Sequence, residues 1–325
     1  MFQCILCLKS FEDKLKTQEH VIPFSLGGNI TLFEMCKTCN EHLGSKVDSP
    51  LINNFFIENK RRELKIYGKS GKLPNPFENM VSVESGKKYK WIFEDGKPKN
   101  IYSIPTAELE KLPDGSEALQ ISVDISDEGK IQGIIDKFLE RKKKKGIKVE
   151  INSQIRQEIE QLAPEMKLSF EFNVLEYLRG ILKIGYEFGY LCFGENYLKD
   201  PIANKIRKFL LKEKISFDDF KDLKVRGKIG LYNSIQSSSV IPFLEDENSI
   251  RVIVMPIDNA IFCEVSIFKI FLGGFEISEE NFDNNIFDAK IVTIDPRQRL
   301  STTCSFEDYI DKAINEGLLP PDFYI

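Results

Sequence analysis

The stretch EHVIPFSLGG, residues 19–28, sets a histidine directly behind a glutamate, three positions before Pro23 and ahead of a Gly27-Gly28 turn. The chain holds only two histidines in 325 residues, His20 and His42, so both imidazoles fall near its start. A cysteine pair stands on either side: Cys4 with Cys7, then, after 28 intervening residues, Cys36 with Cys39. A two-residue spacer turns the chain so that both sulfurs of a pair converge, and two such knuckles complete a tetrahedral four-thiolate site for structural zinc. So short a segment buries too little apolar area to hold itself together, and the metal supplies what is missing.

Between the knuckles the pattern reads as a strand ending at Pro23, a loop, the short strand ITLFEM, and a helix carrying EHLGSKVD, with Asn40 directly after the last cysteine. In this order the residues resemble the HNH endonucleases, whose fold is a ββα unit around one divalent metal. The zinc-bearing members set an acidic residue and His before an apolar residue and Pro, then a Gly-Gly turn, then CxxC followed by His or Asn. Glu19-His20, Pro23, Gly27-Gly28, Cys36, Cys39 and Asn40 hold those places here. Where the family often carries a middle Asn before the second CxxC, this chain has ITLFEM. The resemblance covers roughly the first fifty residues.

The resemblance implies hydrolysis of DNA phosphodiester bonds, with RNA not excluded. His20 is then the general base, and one hard cation, magnesium or manganese, takes oxygen ligands from Glu19 and Asn40. Neighbouring residues on a strand point to opposite faces, so Glu19 and His20 can serve one site only if the strand bends. His42 lies two positions beyond Asn40, about 200° around a helix, and so cannot share its metal. It is expected to support the site from outside, to contact phosphate, or to be structural. Asp48 falls on the Asn40 face and is expected to orient His20 or the metal site. Arg61, Arg62 and Lys65 follow the unit and are expected to contact the nucleic-acid backbone, positioning it without reading sequence.

Beyond this unit the expected fold class is α+β: an N-terminal zinc-stapled ββα-metal nuclease module, residues 1–60, followed by a larger mixed α+β region. Residues 61–77, rich in Gly, Pro and Asn, read as a linker, 78–160 as a middle α+β region and 161–325 as a C-terminal α+β region. A hairpin is expected over 81–93, strands over 118–126 and 147–155, and a helix over 129–145 with Asp127 as its cap. Residues 167–172 read as a strand and 172–194, apolar on nearly every face, as a buried central helix. A second helix follows Pro201. The end of the chain alternates strand candidates at 250–256, 260–274 and 289–295 before a last helix over 306–317.

With 29% charged residues and no apolar run long enough to span a bilayer, the chain is expected to be cytoplasmic, and its first residues are too short and Cys-rich for a signal peptide. A net charge of -5 argues against a protein that coats nucleic acid with its whole surface. Seven cysteines, an odd count, disfavour a complete disulfide set and fit a reducing compartment. The family's common uses suggest restriction or anti-phage defence. The C-terminal region is open to recognition, homo-oligomerisation or regulation. Two rival readings stand beside the nuclease: a catalytically silent, zinc-stabilised nucleic-acid-binding protein, and a nuclease effector activated by a ligand at the C-terminal region.

Overall fold

The computed structural model describes residues 1–94, 96–113, 115–147, 149, 158–159, 165–169, 173–235, 246–279, 288–317 and 319–320. The chain forms two compact units, residues 1–74 together with 171–325, and residues 75–170. Helices and antiparallel sheets mix in both, as expected of the α+β class.

In the first unit, β1 (Lys16–His20) pairs antiparallel with β2 (Thr31–Cys36), and α1 (Lys37–Leu43) follows at once. Thr17 opposes both Glu34 and Met35, so the extra residue of this bulge lies in β2 and the register shifts by one before Glu19. The loop between the strands buries Val21, Ile22 and Leu26 and turns at Gly27 with φ +89°, a left-handed conformation that glycine adopts without steric cost. Past Leu43 the helix loosens into one π turn, Gly44–Asp48, and continues as Ser49–Ile52.

The long helix α2 (Val174–Phe193) begins at Asn173, whose side chain accepts from the backbone N–H groups of Leu175 and Glu176. It is buried almost all round, and its glycines mark how closely it is packed. A Cβ on Gly180 would meet Leu51, and one on Gly185 would meet the Phe275 ring at 2.4 Å. One side of the helix therefore lies against the ββα segment and another against the C-terminal sheet. Arg179, Lys183 and Glu187, spaced four apart and so on one stripe, are all buried. Among the described residues no helix is long and apolar enough to cross a membrane. The next helix, α3 (Pro201–Leu210), takes Pro201 in its first turn, where a missing N–H costs nothing, and is capped by Asp200 accepting from Ile202 and Ala203.

The sheet comprises β3 (Gly227–Leu231), β4 (Ile250–Ile257), β5 (Ala260–Ile267), β6 (Phe271–Ser278), β7 (Lys290–Asp295) and β8 (Leu300–Ser305). Their spatial order is β3-β6-β5-β4-β7-β8, antiparallel throughout. The single strand candidate over 260–274 is in fact a hairpin. Its turn, residues 268–270, holds Phe268 and Lys269 at φ +54° and +51° and has neither the Gly nor the Asn that usually announces one. One apolar core joins residues from 2–66 with residues from α2, α3 and the sheet. The last helix, α4 (Phe306–Asn315), starts with a reciprocal capping box between Ser305 and Asp308.

The second unit is a four-stranded antiparallel sheet in the order Met166–Leu168, Met80–Ser82, Lys88–Glu94, Lys97–Ser103. A separate hairpin, Thr106–Lys111 with Glu117–Ser122, and the helix Ile131–Lys144 complete it. The expected hairpin over 81–93 and strand near 118–126 are present. Asp127 does not cap the helix, which opens at Lys130. Its buried carboxylate instead accepts from the Tyr102 hydroxyl and from Lys130. Most of the strand expected over 147–155, and residues 170–172 of the one expected over 167–172, lie outside the described residues.

Gly27→Ala tests how tightly the loop is held. Its Cβ would fall 2.4 Å from the Pro296 Cα in a left-handed backbone, so a loss of about 2–4 kcal/mol is expected, read from the denaturant midpoint.

Candidate functional site

The four cysteines are brought together from both ends of the ββα segment. Their sulfurs all lie within 4.8 Å of one another, a separation that suits four thiolates around one zinc ion. The first knuckle is closed by Leu8 N–H donating to the Cys4 carbonyl at 2.9 Å, with Leu8 at φ +58°. The second starts α1, and Cys36 N–H points at Cys4 Sγ from 3.5 Å. Tyr186 of α2 donates its hydroxyl to the Ile5 carbonyl inside the first knuckle.

Asn40 lies one turn into the helix, and its Nδ2 donates to the Gln18 carbonyl at 2.9 Å and to Thr17 Oγ1 at 3.1 Å. Both amide hydrogens are thereby spent on β1, and Oδ1 is the atom left to offer a cation. His20 closes the strand, half-buried, with its ring edge-on to Phe24 at 5.6 Å. Burial pulls its imidazole below the ordinary value, helped by Lys69, Lys183 and Arg299 and opposed by Glu19, so the ring is neutral at pH 7. Glu19 takes the other direction. It is 3% exposed, and its Oε1 sits 2.6 Å from Lys183 Nζ, a side chain with no exposed surface.

Lys183 is the centre of an oxygen cage drawn from three segments. Its ammonium donates to the carbonyls of His20 at 2.6 Å and Val21 at 3.3 Å, and lies 3.2 Å from Glu187 Oε2 and 3.4 Å from Asp48 Oδ1. Three carboxylates thus share one cation out of water. Burial pushes Glu187 well above the carboxylate range and Asp48 up to about 6, each opposed by Lys183. Removing one partner from such a buried cluster costs about 3–5 kcal/mol, because the remaining charges cannot rehydrate.

Asn40 is tied to β1 at Gln18, and Glu19 and Asp48 meet at Lys183, while His42 makes its contacts elsewhere. His42 Nε2 donates to the Leu210 carbonyl at 2.9 Å, and Nδ1 is 3.6 Å from Glu213. Arg179 donates to the Leu210 and Lys212 carbonyls beside it. Arg61 is 4% exposed, and Arg62 donates to the Pro74 carbonyl at 2.8 Å, whereas Lys65 is exposed.

Two residues absent from the sequence reading of the site lie beside it. One is Lys183. The other is Arg299, in the β7–β8 turn with φ +52°, whose guanidinium stacks 3.7 Å over the Phe24 ring. It donates to the Phe24 carbonyl at 2.7 Å and the Tyr67 carbonyl at 2.9 Å. Asn29 Nδ2 donates to Ser301 Oγ at 3.1 Å, so the turn and strand β8 grip the loop that follows His20. A charge inside an otherwise apolar helix was a visible signal for Lys183. Arg299 gave none, since nothing local marks a residue that acts across 275 positions.

Residues 4–56 match the HNH endonuclease family, a span that runs from the first zinc knuckle to just beyond Asp48. No curated protein matches the chain. No solved structure matches it either.

The purified protein is expected to carry a single zinc per chain, measured by atomic absorption. Cys39→Ser should lose most of it and unfold at lower temperature, since structural zinc contributes on the order of 10 kcal/mol to small domains.

Proposed function

We propose that the protein is a metal-dependent endonuclease that hydrolyses DNA phosphodiester bonds. The observation that carries the reading is the match of residues 4–56 to the HNH endonucleases, a span that contains Glu19, His20 and Asn40. His20 acts as general base: a neutral, half-exposed imidazole accepts the proton of the attacking water. Asn40 Oδ1 and the Glu19 carboxylate are the oxygen donors that would hold magnesium or manganese, and a hard cation there supplies charge neutralisation on the phosphoryl group. Four thiolates fill the zinc site and leave no open position, so zinc is structural in this reading. Lys65 and Lys69, both exposed, are the backbone contacts it favours. RNA shares the same phosphodiester and belongs in the assay.

None of the seven cysteines is in a disulfide, which fits a cytoplasmic setting, and restriction or anti-phage defence is the context that the family's common uses suggest. A ligand-activated nuclease would use the same residues. The catalytically silent reading has one observation in its favour, the ion pair that holds Glu19 on Lys183.

The test is incubation of supercoiled and linear DNA, and of RNA, with magnesium or manganese. The parent is expected to cut, and His20→Ala to lose roughly 100-fold or more of the rate, as loss of a general base does. Intact nucleic acid at every metal concentration, or equal cutting by His20→Ala, removes the assignment.

A further inference from the structure

The ββα segment does not hold its own functional residues in place. Glu19 leans on a cation that comes from α2, more than 160 positions away, and the same cation grips the carbonyls of His20 and Val21. An ammonium has three hydrogens, and here it faces five oxygens, two of them at 2.6 Å. Such a cage fixes direction as well as distance. The Glu19 carboxylate cannot rotate without breaking its contact, and the backbone just after the His20 Cα is pinned at the point where β1 ends.

Glu19 Oε1 belongs to Lys183, which leaves the second carboxylate oxygen as the one to offer a divalent ion. Metal-bound carboxylates are ordinarily held in this way by an outer hydrogen-bond partner, and the partner's loss weakens the metal without touching the substrate. Asp48 and Glu187 keep the ammonium in place from the far side. Lys183 is itself fully buried and so cannot reach a phosphate.

We propose that Lys183 is a positioning residue for the nuclease site, orienting Glu19 toward the divalent ion and His20 toward its water, so that residues 1–60 and the helix at 174–193 form one composite site. The proposal rests on the endonuclease reading for its chemistry, and its test separates the two.

The test uses the full chain with two variants, Lys183→Met and the double variant Lys183→Met with Glu187→Gln. The double variant removes one of the three carboxylates together with the cation and so leaves fewer of them without a partner in the interior. Zinc content and cooperative thermal unfolding serve as the fold controls. Manganese affinity is measured by calorimetry without nucleic acid, and kcat and KM are measured on plasmid DNA. The double variant is expected to keep its zinc, to bind manganese roughly 10–100-fold more weakly, and to lose a similar factor in kcat with KM for DNA within about twofold. A merely structural lysine would leave manganese affinity unchanged in a folded variant, and that result overturns the proposal. A parent that binds no manganese overturns it too. A parent that binds manganese but cuts neither DNA nor RNA defeats the endonuclease reading alone, and the affinities still decide whether Lys183 orients Glu19.

Discussion

A fully buried ammonium is among the most demanding groups a protein can enclose, because no water remains to solvate it and each missing oxygen costs stability. Lys183 meets that demand only by drawing Glu19, the His20 and Val21 carbonyls and Asp48 from the first fifty residues and Glu187 from its own helix. The cage is therefore also a seam. Once it closes, β1, the π turn after α1 and the long helix have one relative arrangement, and the apolar contacts around it follow. Leu51 packs under Gly180, and Tyr186 reaches into the first knuckle. Apolar burial supplies the bulk of the driving force, being non-directional. The ionic cage supplies the register, because it is satisfied in one alignment only.

Much of the local structure was legible in the sequence, since its signals are short-range. The spacing of Cys4, Cys7, Cys36 and Cys39 predicts sulfurs that converge, and they do. Apolar character on nearly every face predicts burial of residues 172–194, and α2 is enclosed on both sides. The β5–β6 hairpin escaped because Phe268 and Lys269 take a left-handed turn that is ordinarily given to Gly or Asn, and hydrophobic alternation runs on without a break through IFKIF. Asp127 looked like a cap from its position before a helix. Its partner, the Tyr102 hydroxyl, is set by strand pairing that no local pattern encodes.

At the candidate site the division is sharper. His20, Glu19 and Asn40 could be named from their order, and strand alternation gave warning that Glu19 and His20 would diverge. The bulge opposite Thr17 lies in β2, Glu19 of β1 turns inward, and what it meets there could be found only by folding the rest of the chain. The separation of His42 from Asn40 followed from helix geometry alone, and its contacts at Leu210 and Glu213 agree with that rotation. Composition misleads for the arginines. A cluster of basic residues reads as a solvated or nucleic-acid-facing patch, yet Arg61 is turned inward and Arg62 is engaged by the Pro74 carbonyl.

The separation of these contacts along the chain also orders their formation. The four cysteines lie within 36 residues, and metal binding can close that loop without the rest of the protein. The Lys183 cage and the Arg299 clamp join residues more than 160 and 270 positions apart, across the whole of residues 75–170. Loop-closure entropy rises only slowly with length, about 0.6 kcal/mol for each doubling, so a compact unit can be inserted there at little further cost in stability. Long-range contacts nevertheless form later than local ones. The four cysteines can therefore converge while β1 is still unbraced, and the loop after His20 is held at Gly27 by Pro296 and at Phe24 by Arg299. The surroundings of His20 are thus completed by residues that belong to the far end of the chain.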